Sequence, residues 1–235
     1  MKVNEKRKVI HDKIGGVLFP SGYKLIKGQR EYFVKKMGDS EMSIYIDYIS
    51  TGKVRPGMAK VGYREENKVL ALSNVPLTLT FTLEEFNALP VTGTLICPMH
   101  YKQYGRGVSS FKIKNEIELV EFADMLAKYL RESGLPFMEK YSNPFVGLKM
   151  MKEKKNGTKI PFESSCYVGL SSMYKGLAIS KLCGDKEHGE LLEEVTQVID
   201  ELNHRKEEWQ ESFVQFKEDL LKIDPIYKDM YENIW

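Results

Sequence analysis

Cysteine is scarce in this chain: three residues, Cys97, Cys166 and Cys183, among 235. So small and odd a number excludes a disulfide scaffold and points to a reducing compartment. Long apolar runs are missing too. Nowhere do roughly eighteen consecutive apolar residues occur, so no spanning helix and no membrane partner is expected. The opening stretch MKVNEKRKVIHDK carries charge with no apolar h-region behind it, unlike a secretory signal, and the expected location is cytoplasmic. Neither a Gly-x-Ser-x-Gly nucleophile elbow nor a phosphate-cradling glycine-rich loop is present, and no cofactor is expected.

What is present is a globular composition, 42% hydrophobic and 29% charged, in a chain long enough to bury a substantial core. The net charge of +2 hides a division. Residues 1–115 carry 19 lysines and arginines against 10 acidic residues, net +9, while residues 116–235 carry 16 against 23, net −7. Such a chain can offer a basic face to phosphates or to an acidic protein, or can dock its acidic half on its own basic half.

Residues 4 to about 18 place Val9, Ile10, Ile14, Val17 and Leu18 at helical spacing, ended by Pro20-Ser21-Gly22. The period then changes to two. Tyr32 and Val34, then Ile44, Ile46 and Tyr48, read as half-buried strands joined by a turn at Gly38-Asp39. Lys60–Tyr63, Leu77–Phe81 and Phe111–Ile113 add strand candidates, and Thr82 with Glu85 marks the start of a short helix. The expectation to about residue 113 is one helix followed by an antiparallel meander.

Beyond residue 115 the pattern is helical. Asn115 with Glu118 caps an apolar stripe of Leu119, Phe122, Leu126, Tyr129 and Leu130, with Gly134 just past its expected end. Asn143-Pro144 opens another helix, and residues 168–183 suit a buried one. Between Gly189 and Pro225 there is neither glycine nor proline. Leu192, Val195, Ile199, Leu202, Trp209, Phe213, Phe216, Leu220 and Ile223 recur at intervals of three and four. Residues 187–223 read as one helix roughly 50 Å long, or as a hairpin bent near Asn203-His204, which would either pack on the chain's own core or form an intermolecular arm.

Four groups of residues bear chemistry. Cys97-x2-His100 with Cys183-x4-His188 has the ligand count of a zinc site, but neither half has strong spacing, and no metal is assigned. The same Cys97 and His100 lack the third group that a nucleophilic pair needs. Asp47 within SIYIDYIS, with Glu66-x-Lys68 within REENK, matches the pattern of a Mg²⁺-dependent nuclease, two carboxylates for the metal and a lysine for the attacking water. REENK itself reads as an exposed turn. In HYKQYGRG, Tyr101, Lys102, Tyr104 and Arg106 interleave aromatic faces with cations, a pattern suited to partner recognition or to single-stranded nucleic acid.

Two stretches go further. SGYKLIKGQREYFVKK, with Gly22, Tyr23 and Lys24, and NEIELVEFADMLAKYLRESGLPFMEKYSN, with Gly134, Leu135, Pro136, Phe137, Met138 and Glu139, resemble a family of uncharacterised bacterial domains. The match covers about residues 5–145, with Phe137 and Phe111 standing where the family tends to have tryptophan, and with no counterpart to the helix after residue 189. The resemblance implies an α+β fold and assigns no catalytic residue. Similar layouts occur among immunity proteins, which neutralise toxins by binding them.

The expected fold is therefore α+β: an N-terminal helix and mostly antiparallel sheet over residues 1–115, then a helical region over 116–235 ending in a long amphipathic helix. The expected function is non-enzymatic protein binding, with Tyr101, Lys102, Tyr104 and Arg106 as contacts and Trp209, Phe213 and Phe216 as anchors. The alternatives are a Mg²⁺-dependent nuclease on Asp47, Glu66 and Lys68, and a nucleic-acid binder using the basic half. Homo-oligomerisation through the C-terminal helix also remains open.

Overall fold

The computed structural model describes residues 2–27, 31–48, 53–55, 59–73, 95–96, 111–153, 161–162, 171–201 and 207–231. The fold is α+β. Helix α1 (Val3–Leu18) buries Ile10, Ile14 and Leu18, one residue per turn on a single stripe. It ends in a Schellman turn: Gly22 N–H donates to Phe19 O and Tyr23 N–H to Leu18 O. Gly22 has φ +84°, which only glycine adopts without a Cβ penalty.

Strands β1 (Lys24–Ile26), β2 (Tyr32–Met37) and β3 (Ser40–Tyr45) run antiparallel, with Leu25 opposite Phe33 and Phe33 opposite Ile44. The β2–β3 turn is Gly38-Asp39, where the sequence places it. Every residue of β3 from Ser40 to Ile44 is buried, so this strand is covered on both faces. The expected single meander does not continue. After β3 the chain enters β4 (Asp47–Tyr48) and β5 (Lys53–Arg55), which with β8 (Phe111–Lys112) form a second sheet in the order β4-β5-β8. Strand β6 (Lys60–Tyr63) then returns to pair with β3, and with β7 (Leu95–Ile96) completes the first sheet as β1-β2-β3-β6-β7. Residues 77–86, expected as a strand and a helix start, lie outside the described residues.

Between β6 and β7 stands helix α2 (Arg64–Leu72), so REENK is the start of a helix and not a turn. Its buried side holds Glu66, Asn67, Val69 and Leu70.

Helix α3 (Glu116–Tyr129) starts where the cap pair predicts: Glu118 N–H donates to Asn115 Oδ1 at 2.9 Å. Gly134 does not end it. A π-helical turn (Leu130–Gly134) carries the chain straight into α4 (Leu135–Lys140). The π turn closes through Leu135 N–H, which donates to Leu130 O, just before Pro136, which has no N–H to give. Buried Gly134 lies against Ala59. Helix α5 (Pro144–Lys152) opens on Asn143, whose Oδ1 accepts from Phe145 N–H.

Helix α6 (Ser171–Leu182) is the centre of the second half. Residues 172–180 are all buried, as in a helix surrounded by others. Gly176 makes this packing close: a Cβ there would meet the Phe162 ring at 2.2 Å. A second Schellman turn ends α6, with Gly184 at φ +63°.

The amphipathic stretch at the C-terminal end is helical, but as two helices, α7 (His188–Glu201) and α8 (Glu207–Leu221), followed by α9 (Tyr227–Tyr231). Ile226 N–H donates to Leu182 O at 3.0 Å, and Pro225 sits beside Gly184. The end of α8 thus returns to the start of α7. A single straight helix would hold those ends roughly 50 Å apart, so the two helices form a hairpin. One core cluster takes residues from Ile10 in α1 to Tyr227 in α9.

Candidate functional site

Of the nuclease residues, Glu66 and Lys68 do not share a face. Glu66 and Lys68 are two apart on α2, which turns them about 200° from each other. Glu66 is fully buried and accepts from Asn67 Nδ2, whereas Lys68 is exposed and pairs with Glu65 at 2.5 Å. The predicted Glu-x-Lys needed a strand, whose alternate side chains share a face; a helix sends them to opposite sides. Asp47 belongs to the other sheet, opposite Arg55, and its side chain lies outside the described residues.

The helix anchors are also corrected. Phe213 and Phe216 are buried and pack on Tyr174 of α6, with ring centroids 5.5 and 5.0 Å apart. They hold α8 to its own chain and offer nothing to a partner. Trp209 falls in the first turn of α8, and its side chain, like Tyr101, Lys102, Tyr104 and Arg106, lies outside the described residues.

Cys183 and His188 flank the turn between α6 and α7. Cys97 and His100 lie outside the described residues. Burial pushes the Cys183 thiol up to about 12, which keeps it protonated and a poor metal ligand. Among the described residues no group of three metal-binding side chains gathers. The neighbouring Ser180 hydroxyl donates to Asp185 Oδ2 and lies 3.2 Å from His188 Nδ1. Lys152 of α5 reaches Asp185 at 3.0 Å and Glu187 at 2.7 Å. Ser180 is fully buried and sits between acid and imidazole, so the set ties α5 to the α6–α7 turn and presents no nucleophile.

A second polar cluster was not foreseen from the sequence. Arg7 and His11, one turn apart on α1, face Glu31 at the head of β2 and Tyr48 in β4. One oxygen, Glu31 Oε2, lies 3.4 Å from Arg7 Nε and 3.4 Å from His11 Nδ1. The Arg7 guanidinium lies over the Tyr48 ring at 5.3 Å, and His11 meets Phe33 edge-on at 5.3 Å. Among the described residues, Arg7 Nε, Glu31 Oε2 and the Tyr48 hydroxyl are buried atoms that make no hydrogen bond, Arg7 and Glu31 meeting only as the 3.4 Å ion pair. Each such atom costs about 1–3 kcal/mol if it stays unpaired. Burial holds His11 below its ordinary value, with Glu31 opposing, and raises the Tyr48 phenol. The only signal in the sequence was Arg7-x3-His11 on the edge of an apolar stripe; Glu31 and Tyr48 arrive from separate elements.

On the outside of the hairpin, α7 turns Glu190, Glu193, Asp200 and Glu201 to solvent. None of the four makes an ion pair or hydrogen bond among the described residues. No lysine or arginine occurs between Lys186 and Arg205.

Compared with protein-family models, with curated proteins and with solved structures, the chain matches none. No helix of the described residues is long and apolar enough to cross a membrane. The two stretches of the bacterial family resemblance meet in the fold: the buried Tyr23 hydroxyl donates to Met138 Sδ at 3.5 Å.

Proposed function

We propose that this protein is a non-enzymatic protein-binding module that seats the outer face of α7 on a basic surface of its partner. The observation that carries this reading is the row of unpaired carboxylates on Glu190, Glu193, Asp200 and Glu201. Glu190 and Glu193, three residues apart on this helix, repel, at a cost of about 0.2–0.5 kcal/mol. The chain bears that cost with no cation of its own on the helix, and a basic partner relieves it. Such a partner is drawn in by charge and held in register by it, the behaviour expected of an inhibitor of a basic, phosphate-handling protein.

The test is affinity capture from the native cell lysate, with and without nuclease, by the natural chain and by a Glu190→Gln, Glu193→Gln, Asp200→Asn, Glu201→Gln variant. One stoichiometric protein that survives nuclease and is lost with the variant is the expected result. Equal recovery by both chains, or recovery that collapses with nuclease, overturns it.

A further inference from the structure

The first sheet has two unlike faces. Phe33 of β2 packs on His11 and Phe19, and the Tyr63 hydroxyl donates to Tyr141 O at 2.6 Å, so this face meets the helices. The strand register sets the alternate residues in rows across the other face. Ile26, Tyr32 and Tyr45 make one row, Lys24, Val34, Ser43 and Lys60 the next, and Lys36 and Glu41 a third. The middle of β3 is covered here by side chains: Glu41 is buried beneath Arg64 at 2.6 Å and Lys36 at 3.9 Å. Around it the long side chains reach solvent. Ile26 is 43% exposed, the Lys36 side chain 61%, Lys24 is exposed, and Tyr32, Tyr45 and Lys60 are half-buried, with the short Val34 and Ser43 buried between them.

These groups describe their occupant. Tyr32 stands between Ile26 and Tyr45, its ring 5.8 Å from that of Tyr45, and Lys60 Nζ sits over the Tyr45 ring at 4.6 Å. Tyr45 and Lys60 thus brace the Tyr32 ring, whose π surface suits a planar group. Lys24, Lys36 and Lys60 surround it with positive charge, and the carboxylate of these rows, Glu41, is already neutralised by Arg64. A ligand that joins planar rings through anionic links meets both demands, whereas an acidic peptide supplies the anions without the rings. We infer that the outer face of the first sheet binds single-stranded nucleic acid, with a base stacked on Tyr32 and the adjoining phosphates paired with Lys24, Lys36 and Lys60. A duplex turns its bases toward each other and offers Tyr32 no base. Stacking and charge read neither sequence nor sugar, so DNA and RNA strands are taken alike.

Fluorescence anisotropy of a labelled oligothymidylate of about twelve nucleotides, titrated with the full chain, tests this. Saturable binding that falls steeply with added salt is expected, with an oligouridylate bound alike and an oligothymidylate–oligoadenylate duplex bound at least about tenfold more weakly. Tyr32→Ala should weaken single-strand binding about tenfold or more, the loss of one stacked base. Tyr32→Phe keeps the ring and should keep the affinity. Lys24→Gln and Lys36→Gln change exposed side chains, so they probe the surface even where Tyr32→Ala unfolds the chain. Each should lower the slope of log affinity against log salt by about 0.7. Absent binding at low salt, a duplex bound as tightly as the single strand, a preference of about tenfold for either sugar, an equal loss with Tyr32→Phe and Tyr32→Ala, or a salt slope unmoved by both lysine variants overturns it.

Discussion

The hydroxyl of Tyr227 donates to Asp39 Oδ2 at 2.7 Å, across 188 residues of chain. Around this bond the start of α2 is finished by groups from elsewhere. Arg64 N–H donates to Asp39 O and Glu65 N–H to Asp39 Oδ2, while the backbone of Glu66 bonds Tyr227. The residue before the helix, Tyr63, supplies no side-chain cap. The β2–β3 turn and the last helix together do what a local serine or aspartate does in other helices. The first sheet, α2 and α9 are thereby fastened at one point.

Removing the Tyr227 hydroxyl therefore leaves a buried carboxylate oxygen and the start of a helix short of partners. Tyr227→Phe is expected to destabilise the fold by about 1.5–3 kcal/mol, the range for a hydrogen bond to a charged group. Urea unfolding followed by circular dichroism measures it, with the exposed Lys222→Ala variant as the comparison. A loss no larger than that of Lys222→Ala would mean that the contact is incidental.

Why α2 escapes a reading of the sequence follows from the same contacts. Glu65, Glu66, Asn67 and Lys68 look like a solvated turn, and nothing in their polarity announces that Glu66 and Asn67 are buried, with Asn67 Nδ2 donating to Tyr63 O and Glu66 Oε2. Signals that act within a few residues were legible. Ile10, Ile14 and Leu18 mark α1, Asn115 and Asn143 mark their helix starts, and Gly38-Asp39 marks its hairpin. The split into two sheets was not, because β6 finds β3 across β4 and β5, and nothing local encodes that pairing. The hairpin of α7 and α8 was hidden for another reason. Two antiparallel helices packed on the same core bury stripes of the same period, so a continuous run of three- and four-residue intervals fits either arrangement. The Arg7–His11–Glu31–Tyr48 cluster gathers side chains from three parts of the chain, and its sequence shadow is a single i, i+4 pair.

The buried stripe of α8 makes a prediction that separates packing from recognition. Phe216 is fully buried against Tyr174, with Phe213 beside it. Phe216→Ala is expected to cost about 3–5 kcal/mol, the usual range for emptying an aromatic position in a core. A partner-binding anchor behaves otherwise: its loss weakens affinity and leaves the thermal midpoint nearly unchanged. Differential scanning calorimetry on the isolated chain decides between them. An unchanged midpoint would return Phe216 to the list of interface anchors.

Acid should loosen this protein through its half-buried histidines. Burial lowers both His11 and His188 from the ordinary 6.5. A folded-state value below the unfolded one means that the unfolded chain takes up the proton first. The stability each histidine contributes is complete above about pH 6.5 and is lost as pH falls through the lowered folded value. Around His11 the charges compete: Glu31 and Asp12 favour the proton, Arg7 and Lys27 oppose it, and desolvation among Phe33 and Tyr48 outweighs them. Around His188, Lys181 opposes protonation and Asp185 favours it. Urea midpoints measured from neutral pH down to about pH 5.5 should therefore decline, and His11→Asn and His188→Asn should each flatten part of that decline. A midpoint that rises on acidification would mean that Glu31 or Asp185 captures the proton more strongly than burial rejects it, reversing the sign for that histidine.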